Sequence, residues 1–191
     1  GDAVGNGLWK SINGGATWNH VFGGVTGESF FDGNTNIKIN SSATLTGDYI
    51  AVLGGFGGDL STSITGDLVL VEDDTAPIND GCSSFTNTTA LNGKIAVIKR
   101  GSCAFTQKVK RAQDAGALAV IITNNVASFP IAQGGTDTSI TIPTIMISQQ
   151  DGDVIINALA NVVNVTLSII PDATGFNVTP GIQHINDVVV R

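Results

Sequence analysis

Charge is the scarcest resource in this chain of 191 residues. Only 13% of the residues are Asp, Glu, Lys or Arg, and acids outnumber bases 16 to 9, giving a net charge of −7 and a pI near 4.5. A chain so poor in bases lacks the footprint that sequence-independent nucleic-acid binding needs. Histidine, the commonest general base, occurs twice, as His20 and His184 near the two ends. There is no H-E-x-x-H and no G-x-S-x-G, so neither a zincin helix nor a nucleophile elbow is present. No pair of carboxylates is marked out for glycoside chemistry. Cysteine occurs twice, without a C-x-x-C or a Cys/His cluster, which leaves structural zinc and dithiol redox chemistry without support. No apolar run approaches the roughly 20 residues of a membrane helix. These absences leave no candidate catalytic residue, no metal site, no cofactor and no membrane insertion to expect.

What is present is a core and a β-rich composition. Apolar residues make up 42% of the chain, with 24 glycines and abundant Thr, Ser and Asn, a balance common in extracellular bacterial and other secreted proteins. A secreted or cell-surface location is therefore expected. The chain opens Gly-Asp-Ala with neither methionine nor leader, as a processed piece of a longer protein does. Cys82 and Cys103 are either a disulfide or two unrelated buried thiols. The secreted composition and the Gly/Ser loop around Cys82 favour the disulfide, whose loop closure contributes about 3 kcal/mol on the chain-entropy model.

The most informative stretch is Gly93–Asn125. Lys94–Lys99 is a nearly continuous apolar run, as in a strand buried on both faces of a parallel sheet. Ser102 stands where a helix N-cap belongs, and Phe105, Val109 and Ala112 fall on one helical face. Gly116 suits the left-handed position that ends a helix, and Leu118–Thr123 is a second apolar strand. Strand, helix and strand in this spacing predict a right-handed βαβ unit. Six of the nine bases (Lys94, Lys99, Arg100, Lys108, Lys110 and Arg111) fall inside it. They read as a solvated helix face, with anion binding as the alternative; Lys108 and Arg100 read as solvated or as partners for loop carboxylates.

These residues carry a family resemblance. Gly93, Lys94, Arg100, Gly101, Cys103, Phe105, Lys108, Ala112, Ala115, Gly116, Ala117 and Asn124 fall in register with the pattern of the protease-associated (PA) domain. Ile142-Pro143, Ile145–Ser148 and Asp151-Gly152 match a later segment of that pattern, so the resemblance runs from about Ile37 to Ile170. It implies an α/β fold: a small, partly closed β-sheet or barrel with a βαβ core and two flanking helices. It also implies a non-catalytic accessory domain of a subtilisin-like or zinc-dependent peptidase, one that recruits protein or peptide substrates or gates access. The implied partners are polypeptide substrates and the catalytic domain of the parent, with the domain itself a monomer. The alternative is a structural spacer or adhesion module of a large surface protein.

The rest of the chain fills in around that unit. Residues 1–36 read as a hairpin and linker: Ser11–Trp18 resembles the Asp-box of sialidase-like propellers, with Asn13 where Asp is usual, and Leu8–Lys10 precedes it as a strand. Asp32–Asn36 spaces three oxygen side chains like the front of an EF-hand loop, but Ile37 and Ala43 occupy that loop's glycine and glutamate positions. Residues 37–170 are the expected domain. Strands are predicted at Ile37–Asn40, Tyr49–Leu53, Asp67–Val71 and Thr144–Ile147. Gly54–Gly58 lacks the Lys-Ser/Thr of a phosphate loop and reads as a surface loop. Glu72–Asp74 and Asp80 read as a solvated acidic turn, with a cation site as the alternative. Ser148 and Asp151 have capping-box spacing ahead of a helix with Val154, Ile155, Ala158 and Leu159 on its apolar face. Val162–Ile169 alternates as an edge or half-buried strand. Ile95, Val97, Phe105, Val109, Ala112, Val120, Ile121, Ile145, Ile147, Ile155 and Leu159 form the expected core. Residues 171–191 read as a final strand or linker, with a faint resemblance to the opening of the P domain that follows subtilisin-like domains. Asn40, Asn87, Asn164 and Asn177 stand in N-glycosylation sequons. Polypeptide contact is expected at exposed sheet edges and at two loops, through Gly55, Phe56 and Gly57 in one and Phe129, Pro130, Gly134 and Gly135 in the other.

Overall fold

The computed structural model describes residues 8–10, 19–22, 35–45 and 47–169. The Asp-box-like turn, the first three residues of the EF-hand-like stretch and the P-domain-like tail lie outside the described residues; the rest of that stretch, from Thr35, enters a strand. The chain divides into two compact units, Gly1–Phe31 and Asp32–Arg191. In the first, β1 (Leu8–Lys10) pairs antiparallel with β2 (Asn19–Phe22), as expected of strands flanking a hairpin turn.

The second unit is a closed barrel. Its strands are β3 (Thr35–Ser41), β4 (Asp48–Leu53), β5 (Ile64–Leu70), β6 (Ile95–Lys99), β7 (Ala119–Thr123), β8 (Thr144–Ile147) and β9 (Asn164–Ile169), in the order β3-β4-β8-β7-β6-β5-β9 and back to β3. Closure turns on β9. It pairs antiparallel with β3 along one side and with Ile64–Asp67 of β5 along the other. The expected edge strand is therefore interior to the ladder, and the barrel is closed rather than partly closed. The mixed pairing of β5 makes this possible, since its second half turns to pair parallel with β6.

Among the described residues three helices accompany the strands: α1 (Thr88–Leu91), α2 (Phe105–Asp114) and α3 (Gln149–Ala158). The single turn of α1 adds to the two expected. The βαβ unit is present as β6-α2-β7, with the strands parallel and in register from Ile95↔Ala119 to Lys99↔Thr123. Alternation divides the core in two. Ile95, Val97, Ala119, Ile121, Ile145 and Ile147 join Ile37, Val165 and Leu167 in one cluster, which also takes Ile155 and Ala158 of α3. Ala96, Ile98, Val120, Ile122 and Met146 join Val109 and Ala112 of α2 in the other. Strands β6, β7 and β8 are thus buried on both faces, which explains their continuous apolar runs. Of the expected core residues, Phe105 and Leu159 are half-buried and the others are buried. Val154 is exposed and leaves the apolar face of α3.

The caps follow the sequence at two of the three expected ends. The Ser148 hydroxyl accepts from the Asp151 N–H (3.0 Å) and donates to its carboxylate (2.7 Å), capping α3. At the end of α2, Gly116 (φ +83°) donates to the Gln113 carbonyl and Ala117 donates to the Ala112 carbonyl, the paired bonds of a Schellman motif. The start of α2 differs: Ala104, not Ser102, is the N-cap, without a side-chain bond. Cys103 is held outside the helix by its link to Cys82.

Candidate functional site

The two loops expected to contact polypeptide come together on one side of the barrel. Gly54 and Gly55 continue β4 and donate to the carbonyls of Thr144 (2.7 Å) and Gln133 (2.9 Å), and Gly58 donates to that of Ile142 (3.1 Å). Phe56 is half-buried in the α2-side cluster with Ile140 and Ile142. A Cβ at Gly135 would stand 2.7 Å from Thr106 of α2 and 3.8 Å from the Phe56 ring. The surface so formed exposes Gly55, Gly57, Gly134 and Gly135, with Phe56 partly accessible among them. Pro130 is buried and is withdrawn from the expected contact residues. Phe129 is half-buried at the start of its loop, where its carbonyl accepts from Asn124 (3.2 Å).

That loop start is held from below by a chain of polar contacts. Arg100 donates to the buried Asn124 side chain (2.9 Å) and lies 5.8 Å from the Phe105 ring centroid. Asn124 in turn binds Ser128 and Phe129. The far end is held by Gln113 of α2. Its amide donates to the Ser139 carbonyl (2.8 Å), and its oxygen accepts from the N–H groups of Thr141 (2.6 Å) and Ile142 (3.2 Å).

Beneath the opposite end of α2 lies a buried charge cluster. The Cys82–Cys103 disulfide is formed, with its Cα atoms 5.6 Å apart, and ties the Glu72–Asn87 loop to the start of α2. Lys108 is fully buried; its ammonium donates to the Asp80 carbonyl and to Cys82 Sγ (3.0 Å). Burial pulls the Lys108 amine below its ordinary range, against the pull of the Asp80 and Asp73 carboxylates. Asp73 and Asp80 are buried too, so of the acidic loop only Glu72 and Asp74 are solvated as expected. The positive patch also dissolves. Lys94 pairs with Asp67 (2.6 Å), Lys110 with Asp114, and Arg111 donates to the Gly81 carbonyl (3.1 Å). Lys108 was legible as a core position, being three residues from Phe105 and four from Ala112 on the apolar face. Among the described residues, no group of three or more His, Cys, Asp and Glu is placed to hold a metal ion. No described helix is long and apolar enough to cross a membrane.

The family model of the PA domain matches residues 64–155, from β5 into α3. Residues 64–155 form a PA domain. A leucine aminopeptidase 2 from Trichophyton equinum is 31% identical over 176 residues, covering 83% of this chain and 34% of that protein. An ER degradation-enhancing alpha-mannosidase-like protein 3 from Xenopus laevis is 36% identical over 113 residues, covering 54% of this chain and 12% of that protein. Among solved structures, an aminopeptidase from Aneurinibacillus sp. strain AM-1 superposes with a TM-score of 0.54 at 28% identity, over 71% of this chain and 30% of that one. The chain thus spans about a third or less of each relative.

Proposed function

We propose that this chain is a non-catalytic accessory module of a secreted or cell-surface peptidase, and that it recruits polypeptide to the parent's catalytic domain or gates access to it. One observation carries the reading: a chain that matches the PA-domain model shares sequence with relatives named for unlike activities, an aminopeptidase and an alpha-mannosidase-like protein. A unit common to parents of different chemistry serves them by something other than one set of reacting groups. The Gly54–Asp59 and Ser128–Ser139 loops are the contact surface. Strand addition at an edge of the barrel loses its support, because the barrel is closed and the free edges among the described residues are those of the two-stranded β1–β2 sheet.

The test is binding of the 191-residue chain to unfolded, carboxymethylated casein. Saturable binding is expected, and Gly134→Glu should weaken it at least tenfold. A Cβ at Gly134 meets nothing within 4 Å, so that variant should melt like the parent. Absence of saturable binding would defeat the reading and favour the alternative, a spacer or adhesion module. The separate Gly1–Phe31 unit is that alternative's support.

A further inference from the structure

Buried polar side chains in folded proteins almost always have hydrogen-bond partners, so those that lack one point to an occupant. Among the described residues four stand out: Thr35, Asp73, Gln133 and Thr144. Asp73 has the Lys108 ammonium to offset its charge, and Thr35 stands in the β3 ladder. Gln133 and Thr144 are different, because they converge from two segments upon one point. Both are fully buried, and neither the Gln133 amide nitrogen, the Gln133 oxygen nor the Thr144 hydroxyl has a partner. Their main chains are spoken for, accepting from Gly55 and Gly54; their side chains are not.

Gly54 marks the point of convergence. A Cβ there would stand 2.5 Å from the Thr144 methyl and 2.6 Å from the Gln133 oxygen, so only glycine leaves this space to the two side chains. The cover is thin. Ile131, Ala132, Gly134 and Gly135 are exposed around Gln133, Ile131 to 44%. The Ile131 N–H rests on Met146 Sδ (3.4 Å), a weak acceptor.

The chemistry of the pair selects its ligand. A carboxamide offers donors and an acceptor side by side, and a hydroxyl serves as either. Together they match the N–H and C=O that one residue of an extended chain presents on the same side, and they offer no charge to a carboxylate or a phosphate. We propose that Gln133 and Thr144 form a main-chain recognition site for extended polypeptide. The Gln133 carboxamide takes the N–H and C=O of one extended residue, which point the same way, and the Thr144 hydroxyl donates to that same carbonyl. The ligand enters beside Gly54 where the Ile131–Gly135 segment moves aside. This rests on the polypeptide-binding reading above and narrows it to a neutral backbone, read without regard to side-chain charge.

The test uses the 191-residue chain, carboxymethylated casein, and an uncharged hexapeptide of Ala and Ser, acetylated and amidated, beside its counterpart N-methylated at every residue, since methylation of alternate residues would leave one edge intact. The wild type should bind casein and the plain hexapeptide, and bind the N-methylated one at least tenfold more weakly. Gln133→Leu and Thr144→Val should each lose at least tenfold in affinity with a melting midpoint equal to or above the wild type's, since apolar groups of similar shape replace unpartnered polar ones. Wild-type binding to casein with unchanged affinity in both variants, or equal affinity for the two hexapeptides, would overturn this site while leaving the recruitment reading intact. Variants that melt lower yet bind as the wild type does would make the pair a structural network and overturn the site as well. Failure of the wild type to bind casein would overturn both.

Discussion

Lys108 shows how far a single residue can depart from its class. A lysine in a chain so short of charge is expected at the surface, yet its ammonium lies against a disulfide sulfur and a loop carbonyl with two buried carboxylates nearby. Lys108→Met keeps the apolar stem but removes the bond to Asp80 and the charge that offsets Asp73. The expected loss is about 1–3 kcal/mol at neutral pH, read by urea unfolding. The pH dependence has a definite sign. Burial holds the folded-state amine below its ordinary 10.5, so the unfolded chain binds more protons between that lowered value and 10.5, and stability rises with pH across that window. Tyr49, whose phenol burial raises, acts in the opposite sense but is common to both proteins. The advantage of wild type over Lys108→Met should therefore widen as pH climbs toward 10.5; a constant gap would show the amine to be unperturbed, and a shrinking one would show it raised. The Gln133–Thr144 pair was not legible in the sequence. Neither residue stands in a periodic pattern that marks it as buried, and their meeting depends on barrel closure.

At the scale of elements, the βαβ unit and its helix ends were the most legible part of the chain, because their determinants are local. Gly116→Ala should cost about 1–2 kcal/mol for the left-handed backbone alone, and more because the new Cβ would stand 2.5 Å from the Asn92 side-chain oxygen. Ser148→Ala should cost about 1 kcal/mol through loss of the α3 cap. Calorimetric midpoints of the two variants check both, and a neutral Gly116→Ala would contradict the Schellman end. The start of α2 was misread because its determinant is not local: the bond from Cys103 to a residue 21 positions earlier holds the chain in a turn past Ser102. Reduction of that disulfide should cost about 3 kcal/mol on the loop-entropy model. It should also loosen the Glu72–Asn87 loop in hydrogen exchange before β6 and β7, since those strands are held by their own ladder. Loop and strands exchanging together on reduction would contradict this. The sequons at Asn87 and Asn164 have internal uses that the tripeptide pattern does not reveal. The Asn87 amide donates to the Leu70 carbonyl (2.8 Å) and the Asn164 amide to the Asp67 carboxylate (2.7 Å).

At the scale of the whole molecule, closure decides what the domain offers a partner. Strand β9 reads in isolation as a half-buried edge, because alternation reports the two faces of a strand and says nothing of its two sides. Its pairing with both β3 and β5 removes the edges on which strand addition depends. Contact then shifts to the loops above the short β4–β8 junction, where only Val52↔Met146 and Leu53↔Ile145 are paired. The seal is held from within by Leu167, fully buried in β9, and Leu167→Ala should cost about 2–5 kcal/mol. The central claim is that this PA domain meets polypeptide through the surface formed by residues 54–58 and 131–135. Its most direct test is backbone amide NMR of the labelled 191-residue chain during titration with unfolded casein peptides. The account predicts saturable shift changes concentrated in those two segments, with the buried strands β6 and β7 unmoved. Changes confined to Leu8–Phe22, or none at all at saturating peptide, would contradict it.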